Sequence, residues 1–294
     1  MVETDDGYFV VKWLENPQHR RILINEALCS ELLTRIGIAT PRWARIHVDA
    51  RFLGDYPQAH IELHRGRGEI RPGWHFGSRV PVSPELGAVY DFLPQGVIDR
   101  VRNRADFLKA LVFDLWTDNR DGRQAIFHRP ANYGFRAEMI DHGHSLGFDG
   151  VTWCLGHSAA RPAWLGLAGL YCSPQAERVY ERSIRSIRRV TIADLKGSLE
   201  KVPREWICGD EAVLHSLFDT LTRREDRLPE MLTDTLSHIR STLAAGAQSG
   251  LTPDLLHLRR PLHLRNATGR GNTFERPSRY VFPGWSFLSP AREP

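Results

Sequence analysis

Apolar positions along the chain fall into two periods. Near the start, the run Gly7-Tyr-Phe-Val-Val-Lys-Trp-Leu is made of β-formers with one charge, Lys12, inside it. Asn16-Pro17 ends it. From Gln18 to Ile36 the apolar positions Ile22, Leu23, Ala27, Leu28, Leu32, Leu33 and Ile36 recur at helical spacing, with Gly37 as a stop and Pro41 as a breaker. The alternation of Ala44, Ile46 and Val48 predicts a strand within Trp43–Phe52, and a second short strand falls near Ala59–Leu63. The Gly- and Pro-rich stretch His64–Pro94 reads as a connector. A strong helix follows at Ala105–Trp116, carrying Phe107, Leu108, Leu111, Val112, Leu115 and Trp116 on one face. After a polar loop comes a short apolar strand, Tyr133-Gly-Phe-Arg-Ala-Glu-Met-Ile, and then helices over Pro174–Val190, Thr191–Lys201 and Glu211–Ala245. The tail beyond Gly250, with its recurrent prolines, is expected to be irregular.

A sheet-rich beginning followed by helices predicts an α+β fold of two lobes with a cleft between them. The expected division is a small β-rich N-lobe over residues 1–94, a helical C-lobe over 95–250, and a basic tail over 251–294.

Composition narrows the class. The 294 residues are 41% hydrophobic and 25% charged, an ordinary globular balance. No run approaches the eighteen or so apolar residues of a membrane span, and with the acidic start, Met1-Val-Glu-Thr-Asp-Asp, no secretory signal is expected. Cys29, Cys154, Cys172 and Cys208 are scattered with no CxxC pair, as expected of reduced thiols in a cytoplasmic protein. The formal charge of +4 resides in the tail: residues 251–294 hold 7 arginines against 3 acids, leaving 32 basic and 32 acidic groups before them. No folded basic face is implied, so a nucleic-acid partner is expected only through the tail, where Phe274, Tyr280, Phe282, Trp285 and Phe287 interleave with the arginines.

Three features carry chemistry. The first is Lys12 in its apolar strand, which needs either water at a sheet edge or a partner; Glu26 in the following helix is the partner on offer. A strand lysine braced by a helix glutamate is the arrangement kinases use to hold nucleotide phosphates. The second is the loop after the strong helix, dense in Asp114, Asp118, Asn119, Asp121 and Gln124. Such a cluster serves a cation or a proton transfer, or else builds a turn around Asn119 and Asp121-Gly122. The third is Met139-Ile-Asp-His-Gly-His-Ser, a strand ending in Asp141 with Gly143 beyond it, which suits a metal-binding loop. His142 and His144 alternate without a third nearby ligand, a weak zinc pattern. Twenty residues separate Asp121 from Asp141, the span of a short hairpin that brings both to one cleft.

Taken in order, Asn16-Pro-Gln-His-Arg-Arg-Ile-Leu-Ile-Asn-Glu, Phe76-Gly-Ser-Arg, Val112-Phe-Asp-Leu-Trp-Thr-Asp-Asn-Arg-Asp-Gly-Arg-Gln-Ala-Ile-Phe and Met139-Ile-Asp-His-Gly resemble the HipA-like kinase family, distant relatives of the HipA toxin kinase and the phosphatidylinositol kinases. The resemblance runs from about residue 7 to about 240. It implies a two-lobed protein-kinase-like fold, ATP with magnesium as cofactors, and transfer of the γ-phosphoryl group to a hydroxyl, most simply that of a protein serine or threonine. By this likeness Lys12 holds phosphates, Glu26 braces it, Asp121 is the catalytic base, and Asp141 is a magnesium ligand. Family members place an asparagine five residues after the base. Here that position is Ile126, so Gln124 or Asn132 would have to supply the amide. They also carry a glycine-containing loop and strand before the lysine strand, whereas Gly7 is the single glycine here. Either the small lobe is truncated at its start or the phosphate clamp is loose. Two other readings stand beside the protein kinase: a pseudokinase or binding module, with a regulatory protein partner as HipA has, and a small-molecule or lipid kinase.

Overall fold

A computed structural model describes residues 1–63, 66–130, 134–156 and 167–249. The expectations for Asn132 and for the tail from residue 251 lie outside the described residues. The first sheet is four-stranded and antiparallel, in the order β1 (Val2–Thr4), β2 (Gly7–Lys12), β6 (Gly73–Arg79), β3 (Trp43–Val48). Between β2 and β3 runs α1 (Arg21–Arg35); after β3 come the short helix α2 (Ala50–Asp55) and the two-stranded ribbon β4 (Ile61–Leu63) and β5 (Gly66–Gly68). A second sheet orders β7 (Val89–Tyr90), β8 (Gln124–His128) and β9 (Arg136–Ile140), with α3 (Gln95–Ile98) and α4 (Ala105–Thr117) between β7 and β8. The remainder is helical: α5 (Ala168–Tyr171), α6 (Ala176–Ile187), α7 (Ile192–Leu199), α8 (Arg204–Ile207), α9 (Glu211–Arg224) and α10 (Leu228–Ser249). None of the described helices is long and apolar enough to cross a membrane.

The mixed α+β character agrees with the sequence reading, with three corrections. The expected connector His64–Pro94 contains β6, the strand that joins β2 to β3. Its two glycines disguise it. Gly77 must be small, because a Cβ there would come within 2.5 Å of Ile46 Cγ1. Second, a strand does precede the lysine strand: β1 pairs with β2 around a turn at Asp5-Asp6, so the turn tip is acidic instead of glycine-rich. Third, the single helix expected over Glu211–Ala245 is broken by a 3₁₀ turn at Glu225–Arg227, just before Pro229.

α1 decides how the parts fit. No side chain caps its N-terminus and its first turn holds no acid, forgoing about 1 kcal/mol. Burial outweighs that many times over: Ile22, Leu23, Ile24, Leu28, Leu32 and Leu33 are all essentially inaccessible, each contributing roughly 1.5–3 kcal/mol. Its neighbours are β6 on one side and α7 and α8 on the other. One hydrophobic core therefore runs from α1 through α4, β8 and β9 to α10, and a small satellite of Phe9, Ile46 and Val48 fills the opposite face of the first sheet under Phe52 and Leu53 of α2. A helix surrounded in this way also buries polar residues, and two of them, Asn25 and Glu26, lead to the site.

Candidate functional site

Lys12 ends β2 and points across to α1. Its Nζ donates to Glu26 Oε1 at 2.5 Å and to Asp141 Oδ1 at 2.7 Å. The residues expected to act together from positions 12, 26 and 141 therefore meet at one ammonium. Glu26 is 3% exposed, whereas the Lys12 and Asp141 side chains keep 27% and 35% of their surface, so the triad opens outward on the lysine–aspartate side. The water-facing alternative for Lys12 is not what the structure adopts.

The charges follow from this burial. Desolvation alone would lower Lys12, but the fields of Glu26 and Asp141 and hydrogen bonds to both raise it above the ordinary lysine value. Glu26 is pushed up, first by burial and then by the charge of Asp141, against the pull of Lys12. Burial works to raise Asp141 as well, yet Lys12 overrides it and the carboxyl sits below the usual aspartate value. Two acids sharing one base are thus split, with Asp141 the firmer anion.

The β8–β9 hairpin brings the loops together. Gln124 at the start of β8 faces Ile140 at the end of β9, so the segment after α4 and the segment after β9 leave the sheet at the same end. Arg120 N donates to His144 O at 3.0 Å and ties the two loops. Gln124 Nε2 donates to Asp141 Oδ2 at 2.8 Å, which puts the amide two residues before Ile126 on the acid named as magnesium ligand. Ile126 itself is buried. Asp121 is exposed in the turn, its Oδ1 accepting from Gly122 N at 2.8 Å. Asp141 has φ of +57° and Gly143 follows closely: a Cβ on Gly143 would lie 2.9 Å from Ile22 Cγ2, so only glycine lets this loop lie on α1.

Much of the acidic cluster has structural employment. Asp114 lies in α4, buried, where it is paired with Arg123 and accepts from Asn119 Nδ2 at 3.2 Å. Asp118 caps α4 in the left-handed conformation and accepts from Gly156 N at 2.7 Å, with Arg120 3.5 Å away. Arginine side chains answer these two acids, leaving Asp121 exposed in its turn and Asp141 shared between Lys12 and Gln124 on the partly open side of the triad. His142 is buried with both ring nitrogens engaged, and among the described residues no group of three His, Cys, Asp or Glu side chains could hold a metal; the zinc reading finds no support.

Sequence reasoning passed over Asn25. Its Nδ2 donates to Gly143 O at 2.6 Å and Ser145 O at 3.2 Å, and its Oδ1 accepts from Trp153 Nε1 at 2.7 Å. The signal was available: an amide beside Glu26 inside an apolar helix must spend every polar atom or pay for burial. The oxygens of Asp141 and Gln124 are hard donors, and magnesium characteristically takes one or two such protein ligands, completing its shell with phosphate oxygens and water. The donor set therefore fits that ion, provided the Gln124 amide turns its oxygen inward.

No protein-family model matches the chain, and no curated protein matches it. Among solved structures it is similar to a chain of the Shewanella oneidensis MR-1 toxin–antitoxin complex of HipA, HipB and operator DNA, at 14% identity and a TM-score of 0.45. The match covers 73% of this chain and 57% of that one, so the chain spans little more than half the length of the structure it matches.

Proposed function

We propose that the protein is an ATP-dependent kinase of the HipA-like type, transferring the γ-phosphoryl group to a hydroxyl of a protein serine or threonine. The observation that carries this reading is the Lys12 ammonium held between buried Glu26 and half-exposed Asp141. A purely structural triad would have no need to leave its lysine–aspartate side open. In this reading the first sheet with α1 is the small lobe, the second sheet and the later helices are the large lobe, and nucleotide lies between them.

Each residue then has one task. Lys12 already carries its full charge and would neutralise phosphate oxygens, with Glu26 fixing its direction. Asp141 and the Gln124 side chain would hold magnesium, which when bound supplies charge neutralisation for the phosphates. Asp121, exposed in the adjoining turn, is the group free to accept the proton of the incoming hydroxyl. Positioning and charge, more than covalent chemistry, supply the rate in such transfers.

Calorimetric titration with ATP and magnesium tests the reading. Binding that disappears in Asp141→Ala, together with phosphate transfer from labelled ATP that disappears in Asp121→Asn, is the expected result. No binding by the wild type, or transfer indifferent to both substitutions, would end it. Separating the labelled products of a cell extract into protein and metabolite fractions identifies the acceptor class. A second reading, a catalytically silent module of the same fold, is favoured by one observation: Asp141 has both oxygens satisfied within the protein, by Lys12 and by Gln124. It predicts nucleotide binding without turnover.

A further inference from the structure

Behind Asp141 lie buried charged and titratable groups that this reading leaves unused. Arg123, at the entrance to β8, is 4% exposed. Its Nε donates to Asp114 Oδ2 at 3.1 Å and its Nη2 to Asp114 Oδ1, a two-pronged pair with α4. Its remaining arm, Nη1, lies 2.6 Å from Nδ1 of His142. A guanidinium only donates, so Nδ1 accepts and the ring proton resides on Nε2. That nitrogen lies 3.3 Å from Thr40 Oγ1, whose hydroxyl donates to Met139 O at 2.8 Å.

The chain of bonds thus ends on the residues flanking Asp141. Met139 is two positions before it and His142 one after. Met139 N also donates to Ala39 O at 2.8 Å, and the His142 amide donates to Glu26. Asp141 between them occupies the left-handed region at φ +57°, a conformation costing a non-glycine residue about 1–2 kcal/mol. Aspartate tolerates that backbone better than most non-glycine residues, and the clamped neighbours on either side hold it there. Pairing Asp114 with Arg123 would need two donors, and the third is spent on the residue adjoining the acid.

We propose that Asp114, Arg123, His142 and Thr40 form a positioning relay that holds Asp141 left-handed and thereby aims its carboxylate at Lys12 and at the magnesium–nucleotide site. The proposal rests on the kinase reading for its second target and on geometry alone for its first. Two readouts separate these. One is labelling of Lys12 by an acylating reagent, followed by peptide mass spectrometry, in which an amine that has lost one of its two carboxylates reacts faster. The other is ATP affinity measured with and without magnesium.

His142→Leu removes the acceptor, Arg123→Lys keeps the charge opposite Asp114 but loses the third arm, and His142→Asn restores an acceptor oxygen near the position of Nδ1. The first two should raise Lys12 labelling about threefold. They should weaken magnesium-dependent ATP affinity about tenfold and alter magnesium-free affinity, which rests on Lys12, by clearly less; His142→Asn should stay close to wild type in both. Thr40→Val, which cuts the far end at a less buried position, should move labelling in the same direction about twofold and decides the matter if the buried variants do not fold. Wild-type labelling in Thr40→Val, or equal damage from His142→Leu and His142→Asn, overturns the relay. A wild type that binds no ATP overturns the kinase reading alone, and the labelling comparison still stands.

Discussion

His75 offers a sharp test of the sheet that carries Lys12. It sits in β6, wholly buried, with Nδ1 accepting from Leu14 N at 2.9 Å and Nε2 donating to Arg71 O at 3.1 Å. Only the neutral ring can do both. Burial lowers its pKa from 6.5 to about 4, against the upward pull of the Arg71 carbonyl and with some help from His47. Because the folded value lies below the unfolded one, the unfolded chain binds the proton more readily and stability rises with pH. The contribution is complete above pH 6.5 and is lost as pH falls from 6.5 to about 4. That distance, at about 1.4 kcal/mol per pKa unit, amounts to roughly 3 kcal/mol. Typical domains have about 5–15 kcal/mol in total, so the loss is visible in urea unfolding. His75→Gln cannot titrate at that position, and every other titrating group is common to both proteins. The stability advantage of the wild type should shrink by more than about 2 kcal/mol between about pH 7.5 and about pH 4.5. Parallel pH dependences would refute the claim that this ring is neutral and holds β6 to the end of the lysine strand.

Three further outcomes follow from the geometry. Lys12→Met strands Glu26 beside Asp141 and should cost roughly 1–3 kcal/mol, discounted for the partly open lysine; adding Glu26→Gln should recover part of the melting temperature, and a double variant no better than the single would argue against the pair. Gly143→Ala presses a Cβ into Ile22 at 2.9 Å, destabilising by about 1–3 kcal/mol, and thermal melts should show a smaller loss when it is made in an Ile22→Ala background than in the wild type. Thr191 caps α7 reciprocally with Asp194, so Thr191→Ala should lower stability by about 1 kcal/mol in chemical denaturation.

How much could be read from the chain alone depended on distance along it. α1 and α4 were legible because their stripes lie within one helix, and the β8–β9 hairpin because its strands are neighbours in sequence. Lys12, Glu26 and Asp141 were legible as an ordered set of residue types, which the structure joins at one nitrogen. The strand β6 was not, since the reason for Gly77 is a close approach by Ile46, thirty-one residues earlier in the chain. Nor was the fate of Asp114: its acidity is visible in sequence, but the burial that demands Arg123 as its answer is a property of packing. His142 reads as a possible ligand because alternating histidines suggest metal, whereas its ring is occupied by an arginine and a threonine that only the fold brings near.

The bond between Lys12 and Asp141 spans 129 positions, and Trp206 Nε1 reaches back 132 to donate to Trp74 O at the start of β6. On a ribosome these are late events. The lysine strand emerges with Glu26 in prospect but without its second acid, and β6, already paired with β2 and β3, gains its bond to α8 only after Trp206 has been made. Contacts of that separation are slow to form, and each waits until its second partner has emerged. The candidate site is therefore complete only once residue 141 has been made, and a nascent or prematurely terminated chain that stops before it would carry Lys12 with Glu26 but leave the lysine without its second acid.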